Sequence, residues 1–453
     1  MEAPLRTSSY LIPVKLESEP DKYMLIHGYT GAIDIATESL LKKIQSVASG
    51  TDLLPEMVEV LLKRGYITTK TPEEECILAN KLAASIHSFR RDRIHRFLFI
   101  VNYSCNFRCP YCFENAISNR GKSWSHTIFS KEMVDRAYEC MIEMEPDLAK
   151  HNKEITLYGG EPLMAENLEI VNYIVSKGMD LDYHFKAITN GYDLNLYENL
   201  LGKGMIETVQ ITLDGDKKYN DSRRFHYLYG GSYDKIIDNI RLALSKDVRV
   251  RVRSNVDYNN FESVDRLDAY LRQLKFYDNP NFSFYRSPLT DTANSLLTKA
   301  GKNRIAYMTQ SQFNESVSDE KYGELDLSNL ILLGLKNKQP IKFNPSYCGA
   351  NKGMYILDPK GDIYCCLETI GTPNQVIGHY KNGLSWTSHY KMWKERSVNN
   401  IPECSHCRYA LLCGGGCGAR VANDLWKPYC NCFSKNIEQQ ANRAYTLLVN
   451  NKF

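Results

Sequence analysis

The feature that most constrains this sequence is the alternation of short apolar runs with helical stretches between residues 95 and 290. The apolar runs have the composition of strands: "RFLFIVN", "EITLYG", "YHFKAITN", "ETVQITLD", "VRVRSNV" and "NFSFYR". Stretches such as "SKEMVDRAYECMIEM" and "DKIIDNIRLAL" lie between them and have helical patterns. Alternating strands and helices favour parallel β/α units. We therefore predict an α/β fold here, a barrel or part of one, whose sites lie at the carboxyl ends of the strands.

The sequence on either side of this region has a different character. Residues 1–92 contain the strand-like runs "SYLIPVKLE", "YMLIHGY" and "AIDIA", followed by two helical stretches, and this order predicts a small α+β domain. Residues 93–290 form the predicted barrel, and the polar segment 291–340 is predicted to be a helical linker. Residues 341–453 are rich in Cys and Gly and poor in apolar residues, so we expect bound metal to support their shape.

The overall charge of the chain is nearly balanced. The 56 basic and 53 acidic residues give a formal charge of +3, too small on 453 residues to indicate a nucleic-acid or membrane partner. The apolar stretches are too short for a spanning helix, and the start "MEAPLRTSSY" does not resemble a signal segment. The expected location is the cytosol.

The 14 cysteines are unevenly distributed. Three lie between residues 105 and 112, and nine lie between 348 and 432. Clustered thiols in a long chain without a signal segment indicate metal ligands rather than disulfides, with iron–sulfur clusters and zinc as candidates. Cys76 and Cys140 stand alone within apolar helical patterns, and we predict both to be core residues.

The first cysteine group lies in "VNYSCNFRCPYCFEN", where Cys105, Cys109 and Cys112 have the spacing CxxxCxxC. Structural zinc sites usually take four protein ligands, and no fourth Cys or suitably placed His lies close by in the sequence. A four-iron cluster held by three thiolates leaves one iron open for another ligand. The number three therefore indicates a site that binds something at the metal.

The CxxxCxxC spacing after the first predicted strand resembles the signature of the radical S-adenosylmethionine (SAM) enzymes. Three later segments resemble the strand-end motifs of that family: "YGGEP" at 158–162, "TNG" at 189–191 and "QITLDG" at 210–215. A fourth, "NDSRRFHYLYGGSYDKI", is similar to the segment that supplies an arginine. The resemblance implies a partial (β/α)6 barrel in which SAM is contacted by Tyr111, Gly159, Gly160, Glu161, Thr189, Asn190, Thr212 and Arg224.

Each of the first strand-end residues has a physical reason to be there. Gly159 and Gly160 allow the backbone to approach a ligand closely. Glu161 offers an anionic acceptor for the ammonium group of the methionine moiety. These roles follow from the resemblance and are expectations for the structure.

The later strand-end residues complete the implied SAM site. Thr189, Asn190 and Thr212 have short polar side chains that suit ribose hydroxyls. Arg224 would bind the methionine carboxylate, with Asn220 standing where the family usually has His. The resemblance implies that a donor such as flavodoxin or ferredoxin supplies an electron to the cluster. The reduced cluster then cleaves SAM to methionine and a 5′-deoxyadenosyl radical, which takes a hydrogen atom from the substrate.

The C-terminal cysteines resemble the seven-cysteine pattern of the SPASM extension found on some radical SAM enzymes. The resemblance implies two auxiliary four-iron clusters, three in all with the SAM cluster. The implied ligands are Cys348, Cys366 and Cys417 for the first, and Cys404, Cys407, Cys413 and Cys430, with Cys432 as the rival of Cys430, for the second. A zinc ribbon is the alternative. Cys365 or a non-thiol group could close the three-ligand site, or an open iron could hold a substrate thiolate.

Enzymes with this extension mostly modify polypeptides or peptide-derived metabolites. The order of elements in residues 1–92 is similar to that of a winged-helix-like domain that binds the leader of a precursor peptide as an added strand. The lead hypothesis is therefore a peptide maturase that forms thioether crosslinks from a cysteine sulfur to a carbon. The alternatives are a sulfatase-maturase-like dehydrogenase that forms formylglycine, with Asp214 and Asp291 as candidate catalytic acids, a carbon–carbon crosslinking enzyme, and a non-catalytic scaffold.

Overall fold

The computed structural model describes residues 4–50, 53–114, 117, 120–289, 307–316, 327–430 and 433–450. Its strands are β1 Arg6–Thr7, β2 Leu11–Lys15, β3 Lys22–His27, β4 Ile33–Thr37, β5 Ile67–Thr68, β6 Arg96–Asn102, β7 Glu154–Gly159, β8 His184–Thr189, β9 Ile206–Thr212, β10 Arg249–Val256, β11 Phe282–Pro288, β12 Met354–Leu357, β13 Asp362–Tyr364, β14 Gly378–His379 and β15 Ser385–Trp386. Its α-helices are α1 Glu38–Gln45, α2 Pro55–Arg64, α3 Pro72–Arg91, α4 Lys122–Ser125, α5 Lys131–Met144, α6 Leu168–Asp180, α7 Lys217–Arg223, α8 Tyr233–Ser245, α9 Phe261–Gln273, α10 Gln310–Ser316, α11 Leu327–Asn337, α12 Ser388–Glu395, α13 Ala410–Cys413 and α14 Phe433–Val449.

The chain folds into two compact units, each built from separate stretches of sequence. The first unit comprises Met1–Arg91, Gln310–Asn351 and Glu395–Phe453. The second comprises Asp92–Thr309 and Lys352–Lys394. The division into four consecutive segments stays a prediction. Among the described residues, no helix combines the length and the apolar character needed to cross a bilayer.

The second unit is built on one sheet with the strand order β11-β10-β9-β8-β7-β6-β12-β13-β14-β15. Strands β6 to β11 pair in parallel and in chain order, with helices between them. Strand β12 adds in parallel to β6, and β13 to β15 extend the sheet in antiparallel fashion. The predicted α/β fold with a mostly parallel sheet is confirmed, and the six predicted strands are all present.

The strands and helices of this unit bury the apolar residues that recur along them. Strand β7 alternates buried and half-buried residues, as expected for a strand covered more fully on one face. Helix α5 is capped at its N-terminus by Ser130, whose side chain accepts a hydrogen bond from the Met133 N–H. Its buried residues include Val134, Ala137 and Met141, which recur at helical spacing and form one apolar face.

The first unit contains an antiparallel sheet in the order β2-β3-β4, with helices packed on both faces. The segment "GYTG" connects β3 and β4. On one face, Leu11 and Leu25 pack with residues of α1 and α2 such as Leu41. On the other face, Ile12 packs with residues of α11 and α14 such as Ile437. Helices from the end of the chain therefore complete the core around the N-terminal strands.

Candidate functional site

The three cysteines of the CxxxCxxC segment lie in the loop after β6, in the second unit. The Phe107 N–H donates to Cys105 Sγ at 3.3 Å, and the Cys112 N–H donates to the Cys109 carbonyl at 3.2 Å. All three thiols line one cavity of about 830 Å³. The loop therefore presents the predicted ligands to a common space that is large enough for a cluster and part of a ligand.

Burial raises the pKa of all three thiols, that of Cys112 to about 12, so without metal they are protonated at neutral pH. A bound metal group would displace these protons. Among the described residues, no group of three or more His, Cys, Asp or Glu side chains could hold a metal ion. A four-iron cluster does not require three thiols to meet at one point, because each thiolate binds a different iron. The donor set therefore fits a cluster.

The two glycines at the end of β7 are needed because the cysteine loop passes close to them. A Cβ atom added to Gly159 would lie 2.3 Å from the Asn102 carbonyl oxygen, and one added to Gly160 would lie 2.1 Å from that of Ser104. The Glu161 N–H donates to the same Ser104 oxygen at 2.7 Å. The two glycines were expected to let the backbone approach a ligand, and here they let it approach the backbone of the cysteine loop. This close contact positions the cysteine loop against β7.

Glu161 binds other predicted site residues through its buried carboxylate. Oε1 accepts hydrogen bonds from Thr189 Oγ1 at 2.6 Å and from the Leu163 N–H at 2.9 Å, and Oε2 accepts from the Asn190 N–H at 2.5 Å. Burial raises the pKa of Glu161 to about 7, although these donors oppose the shift. The carboxylate therefore connects the carboxyl ends of β7 and β8.

A second contact extends this network to the cysteine loop. Asn190 Nδ2 donates to Asn106 Oδ1 at 2.7 Å, and Asn190 Oδ1 accepts from the Tyr192 N–H. The sequence did not single out Asn106, although its place inside the CxxxC spacing is a signal that could have found it. Thr212 ends β9, in register with Arg253 of β10.

Arg224 belongs to a second hydrogen-bond network, which is centred on Tyr111 of the cysteine loop. Its Nη1 donates to the Tyr111 hydroxyl at 2.6 Å, and this hydroxyl donates to Asp214. Asn255 Nδ2 also donates to the Tyr111 hydroxyl, at 3.3 Å. Arg224 Nε is buried and has no hydrogen-bond partner within the described part of the chain. A buried donor without an acceptor is unfavourable, so Arg224 is suited to bind an acceptor from a ligand.

The neighbouring Arg223 forms ion pairs with the carboxylates of Asp214 and Asp257. Arg223 Nε lies 3.5 Å from Asp214 Oδ2, and Nη1 lies 3.1 Å from Asp257 Oδ2. Asp214 has no exposed surface, and its Oδ1 also accepts the Asn255 N–H at 3.1 Å. These bonds favour a positioning role for Asp214 over proton transfer with a substrate. The other candidate acid, Asp291, lies outside the described residues.

Sequence reasoning also missed Glu114, which lines the cavity beside Cys112. Burial raises the pKa of Glu114 to about 7, and a hydrogen bond from Tyr158 opposes the shift. Of the isolated cysteines, Cys140 is fully buried, as predicted. Cys76 is half-buried and donates to the Ser405 carbonyl at 3.2 Å.

The first unit gathers the cysteines predicted for the second auxiliary cluster. Burial raises the pKa of Cys404 to about 12, and the charges of Cys413, Cys407 and Cys430 act in the same direction, so these thiols lie within electrostatic reach of one another. The rival ligand, Cys432, lies outside the described residues. Of the set predicted for the first auxiliary cluster, Cys348 and Cys417 belong to the first unit and Cys366 to the second, and this set stays a prediction.

The turn between Cys413 and Cys417 is shaped to hold a sulfur anion. Its three glycines, 414–416, have left-handed φ angles of 72°, 78° and 72°. Burial raises the pKa of Cys413 to about 11, while hydrogen bonds from the Gly415 and Gly416 N–H groups lower it. Successive N–H groups in such turns form anion-binding concavities, and hydrogen bonds to sulfur are typical of iron–sulfur sites. This turn therefore fits a thiolate-bound cluster.

Residues 99–274 match the family model described as the Radical SAM superfamily. This segment contains the CxxxCxxC loop and the strand ends of both networks described above. The chain therefore contains a radical SAM domain, and enzymes of this family use SAM and a four-iron cluster.

Several known proteins are similar over most of the chain. A cysteine-type anaerobic sulfatase-maturating enzyme of Clostridium novyi is 22% identical over 378 residues, covering 76% of this chain and 95% of the relative. The radical SAM cyclopropyl synthase TigE of Paramaledivibacter caminithermalis is 24% identical over 352 residues, covering 72% and 68%.

Two solved structures share the fold. The structure of native anSMEcpe with bound AdoMet and Cp18Cys peptide has a TM-score of 0.53 and 16% identity, covering 79% of this chain and 98% of that one. Streptococcus suis SuiB bound to S-adenosylmethionine has a TM-score of 0.51 and 14% identity, covering 94% and 99%.

Proposed function

We propose that this protein is a radical SAM enzyme that modifies a ribosomally made precursor peptide. The observation that carries the proposal is that three thiols line one cavity at the carboxyl ends of the parallel strands. A peptide is the favoured substrate because the similar fold of anSMEcpe has been solved with a bound peptide. The sulfatase-maturating relative, by its name, also acts on a protein.

The residues near the cavity have distinct roles in this proposal. Cys105, Cys109 and Cys112 hold the cluster, which, with bound SAM, supplies the 5′-deoxyadenosyl radical chemistry. Arg224 binds the methionine carboxylate through its unpartnered Nε, because a guanidinium pairs well with a carboxylate. Tyr111 fixes the orientation of Arg224 through the 2.6 Å hydrogen bond.

The proposal gives Glu161 a positioning role in place of the ammonium contact that the resemblance implied. Its carboxylate oxygens accept hydrogen bonds from Thr189, Leu163 and Asn190, so it orients the ends of β7 and β8. In the proposal, backbone atoms of this segment receive the methionine ammonium group, and Gly160 is the residue of the segment that lines the cavity. Thr189, Asn190 and Thr212 stay the proposed ribose contacts.

The proposed product is a thioether between a cysteine sulfur and a carbon of the peptide. The thiol-rich C-terminal region supports it, since an auxiliary cluster with an open iron could hold a substrate thiolate. The proposed cofactors are accordingly SAM, the SAM cluster and two auxiliary four-iron clusters, with flavodoxin or ferredoxin as the electron donor. Formylglycine formation is the second candidate, because the Clostridium novyi relative is a cysteine-type sulfatase-maturating enzyme. The name of TigE favours carbon–carbon bond formation as a third.

The leader of the precursor is proposed to bind at the edge of β4. The other edge of the sheet, β2, is poorly suited to strand addition: Pro13 lacks an N–H, Arg408 donates to the Leu11 carbonyl at 3.1 Å, and Asn442 donates to the Lys15 carbonyl at 3.1 Å. On β4, Arg64 donates to the Ile33 carbonyl at 2.8 Å, so the proposed edge is centred on Ile35. The alternation of an antiparallel ladder directs the backbone groups of Ile35 away from β3. A leader could therefore add as a fourth strand there.

Leader binding can be tested with Ile35→Pro, which removes one outward N–H, and Ile35→Val, which keeps it. We expect the Kd of a fluorescent leader peptide to rise about tenfold or more in the Pro variant, since one strand hydrogen bond and its neighbours are lost. The Val variant should bind like the unmodified protein. Circular dichroism checks that both variants fold. Equal binding by all three proteins would exclude the β4 edge.

The catalytic proposal is tested by incubating the anaerobically reconstituted protein with SAM, a reductant and a cysteine-containing precursor peptide. Mass spectrometry should show the loss of two hydrogens per crosslink, with thiols that no longer react with an alkylating reagent. Conversion of a cysteine to an aldehyde would instead establish formylglycine chemistry. Release of 5′-deoxyadenosine with an unchanged peptide would refute the choice of substrate. No SAM cleavage at all would refute the enzymatic role.

A further inference from the structure

Arg396 is a buried cation whose observed partners are all backbone carbonyl groups. Its side chain is 1% exposed, and it lies in the first unit, beside the glycine turn of residues 414–416. Nη1 donates to the carbonyls of Leu425 and Lys427, the latter at 2.9 Å. Nη2 donates to the carbonyls of Gly415 at 3.1 Å and Gly416 at 3.4 Å. No described carboxylate pairs with this guanidinium.

The glycine turn that Arg396 holds lies beside two of the predicted ligand thiols. A Cβ atom placed on Gly415 would lie 3.9 Å from Cys404 Sγ, and the Gly415 and Gly416 N–H groups donate to the Cys413 sulfur. The sulfurs of Cys404, Cys417, Cys348 and Cys413 also act electrostatically on Arg396. Burial lowers the pKa of Arg396, and negative charge on these four sulfurs raises it. A guanidinium stays protonated in proteins, so the charge is permanent. While the thiols are protonated, this buried charge has no compensating anion, which is unfavourable.

We propose that Arg396 is the counter-charge of the thiolate-held metal groups in the C-terminal cysteine region, an inference that rests on the auxiliary clusters of the proposed function. The four thiols come from both predicted ligand sets, because Cys404 and Cys413 belong to one and Cys348 and Cys417 to the other. Metal binding turns the thiols into thiolates, and the buried charge of Arg396 becomes compensated.

The hydrogen bonds of Arg396 connect this charge to the shape of the site. Its Nη2 holds the carbonyls of Gly415 and Gly416, while the N–H groups of the same two residues point at the Cys413 sulfur. The guanidinium thus orients the turn from behind as its charge favours the anion in front. A positive charge near a cluster also favours the reduced form, so Arg396 should raise the reduction potential of the auxiliary clusters.

The test compares metal-free and loaded protein. In the metal-free protein, Arg396→Met removes an uncompensated buried charge but also the donor to four backbone carbonyls, so we expect a moderate fall in the midpoint of thermal unfolding. In the loaded protein, the same change should lower the midpoint by more, because the thiolates also lose their counter-charge. It should also shift the auxiliary reduction potentials, followed by electron paramagnetic resonance, to more negative values. Arg396→Lys should keep most of the potential. Arg90→Met is the control, because Arg90 also donates to a backbone carbonyl of the first unit, that of Phe343 at 2.6 Å.

A purely structural role would lower the unfolding midpoint equally in both forms and leave the potentials unchanged, which would overturn the inference. Should Arg396→Met fail to fold in both forms, Arg396→Gln takes its place, because its neutral amide can still donate to the carbonyls. Auxiliary potentials equal to those of the unmodified protein would then overturn the inference. Iron, sulfide and zinc analysis separates this result from the proposed function. Zinc in place of auxiliary iron would refute the iron–sulfur assignment, and the stability comparison on the zinc-loaded protein would still decide the role of Arg396.

Discussion

Asp214→Asn is the change that best separates a positioning role from a catalytic role in the second unit. Asp214 accepts the hydroxyl of Tyr111, which in turn accepts Arg224 at 2.6 Å. An amide in place of the carboxylate loses a charge-assisted hydrogen bond, worth about 1.5–3 kcal/mol. Without this bond Tyr111 no longer holds Arg224 in the orientation that binds SAM. If the whole loss appears in the binding free energy, SAM binding weakens by about 10- to 100-fold, because about 1.4 kcal/mol corresponds to a factor of ten.

The assay is SAM binding by calorimetry together with 5′-deoxyadenosine release by the reconstituted protein. Asp257→Asn is a matched control, because Asp257 is equally buried and also pairs with Arg223 but makes no bond to Tyr111. We expect weak SAM binding with Asp214→Asn and near-normal binding with Asp257→Asn. Normal SAM binding and cleavage by Asp214→Asn, with loss of the peptide product alone, would refute the reasoning and restore Asp214 as a catalytic acid.

Three further changes test the packing around the site and in the first unit. Glu75→Gln should lower the free energy of unfolding by about 3 kcal/mol in chemical denaturation, because the fully buried carboxylate accepts four hydrogen bonds. The control is Glu73→Gln, on the exposed side of the same helix, which should change this free energy by less than about 0.5 kcal/mol. Burial lowers the pKa of His27 from 6.5 to about 4, so its neutral form is favoured in the fold. The stability it contributes is complete above pH 6.5 and falls by about 3 kcal/mol as the pH drops through 4; His27→Gln should flatten denaturation curves recorded between these values. Gly160→Ala should displace the cysteine loop, because its Cβ would lie 2.1 Å from the Ser104 oxygen, and iron analysis should show loss of the SAM cluster while the auxiliary iron is kept.

The parallel sheet was predictable because each strand can be recognised from its own local sequence. An apolar run such as "EITLYG" followed by a helical stretch has few folded solutions other than a β/α unit. The strand Met354–Leu357 was not predicted, because its pairing with β6 depends on a partner about 250 residues earlier in the chain. The packing of the C-terminal helices on the N-terminal strands was missed for the same reason. Local patterns show which face is apolar and do not show what covers it.

The identities of the site residues were easier to predict than their partners. "YGGEP" and "TNG" drew attention to Glu161, Thr189 and Asn190 as separate ligand contacts, yet the structure joins them to each other. A short polar side chain suits a ribose hydroxyl and a buried carboxylate equally well, so the residue type alone could not distinguish the two. Similarly, the glycines were expected to approach a ligand, whereas the nearest obstacle to a side chain is the carbonyl of Ser104 or Asn102.

If both groups of thiols hold clusters as proposed, the two units place a guanidinium near their thiols in a similar way. Thiol ligands become anions only when metal replaces their protons, so a site that favours loading must supply positive charge that is not already neutralised. In the second unit, Arg223 takes the two carboxylates and leaves Arg224, held by a neutral tyrosine hydroxyl, within electrostatic reach of Cys109. In the first unit, Arg396 is held by backbone carbonyls within reach of four thiols. In both places neutral oxygens hold the guanidinium, and in the proposed function its charge favours the loaded site. At Arg224 the charge of Asp214 also acts on the guanidinium, whereas no described carboxylate pairs with Arg396.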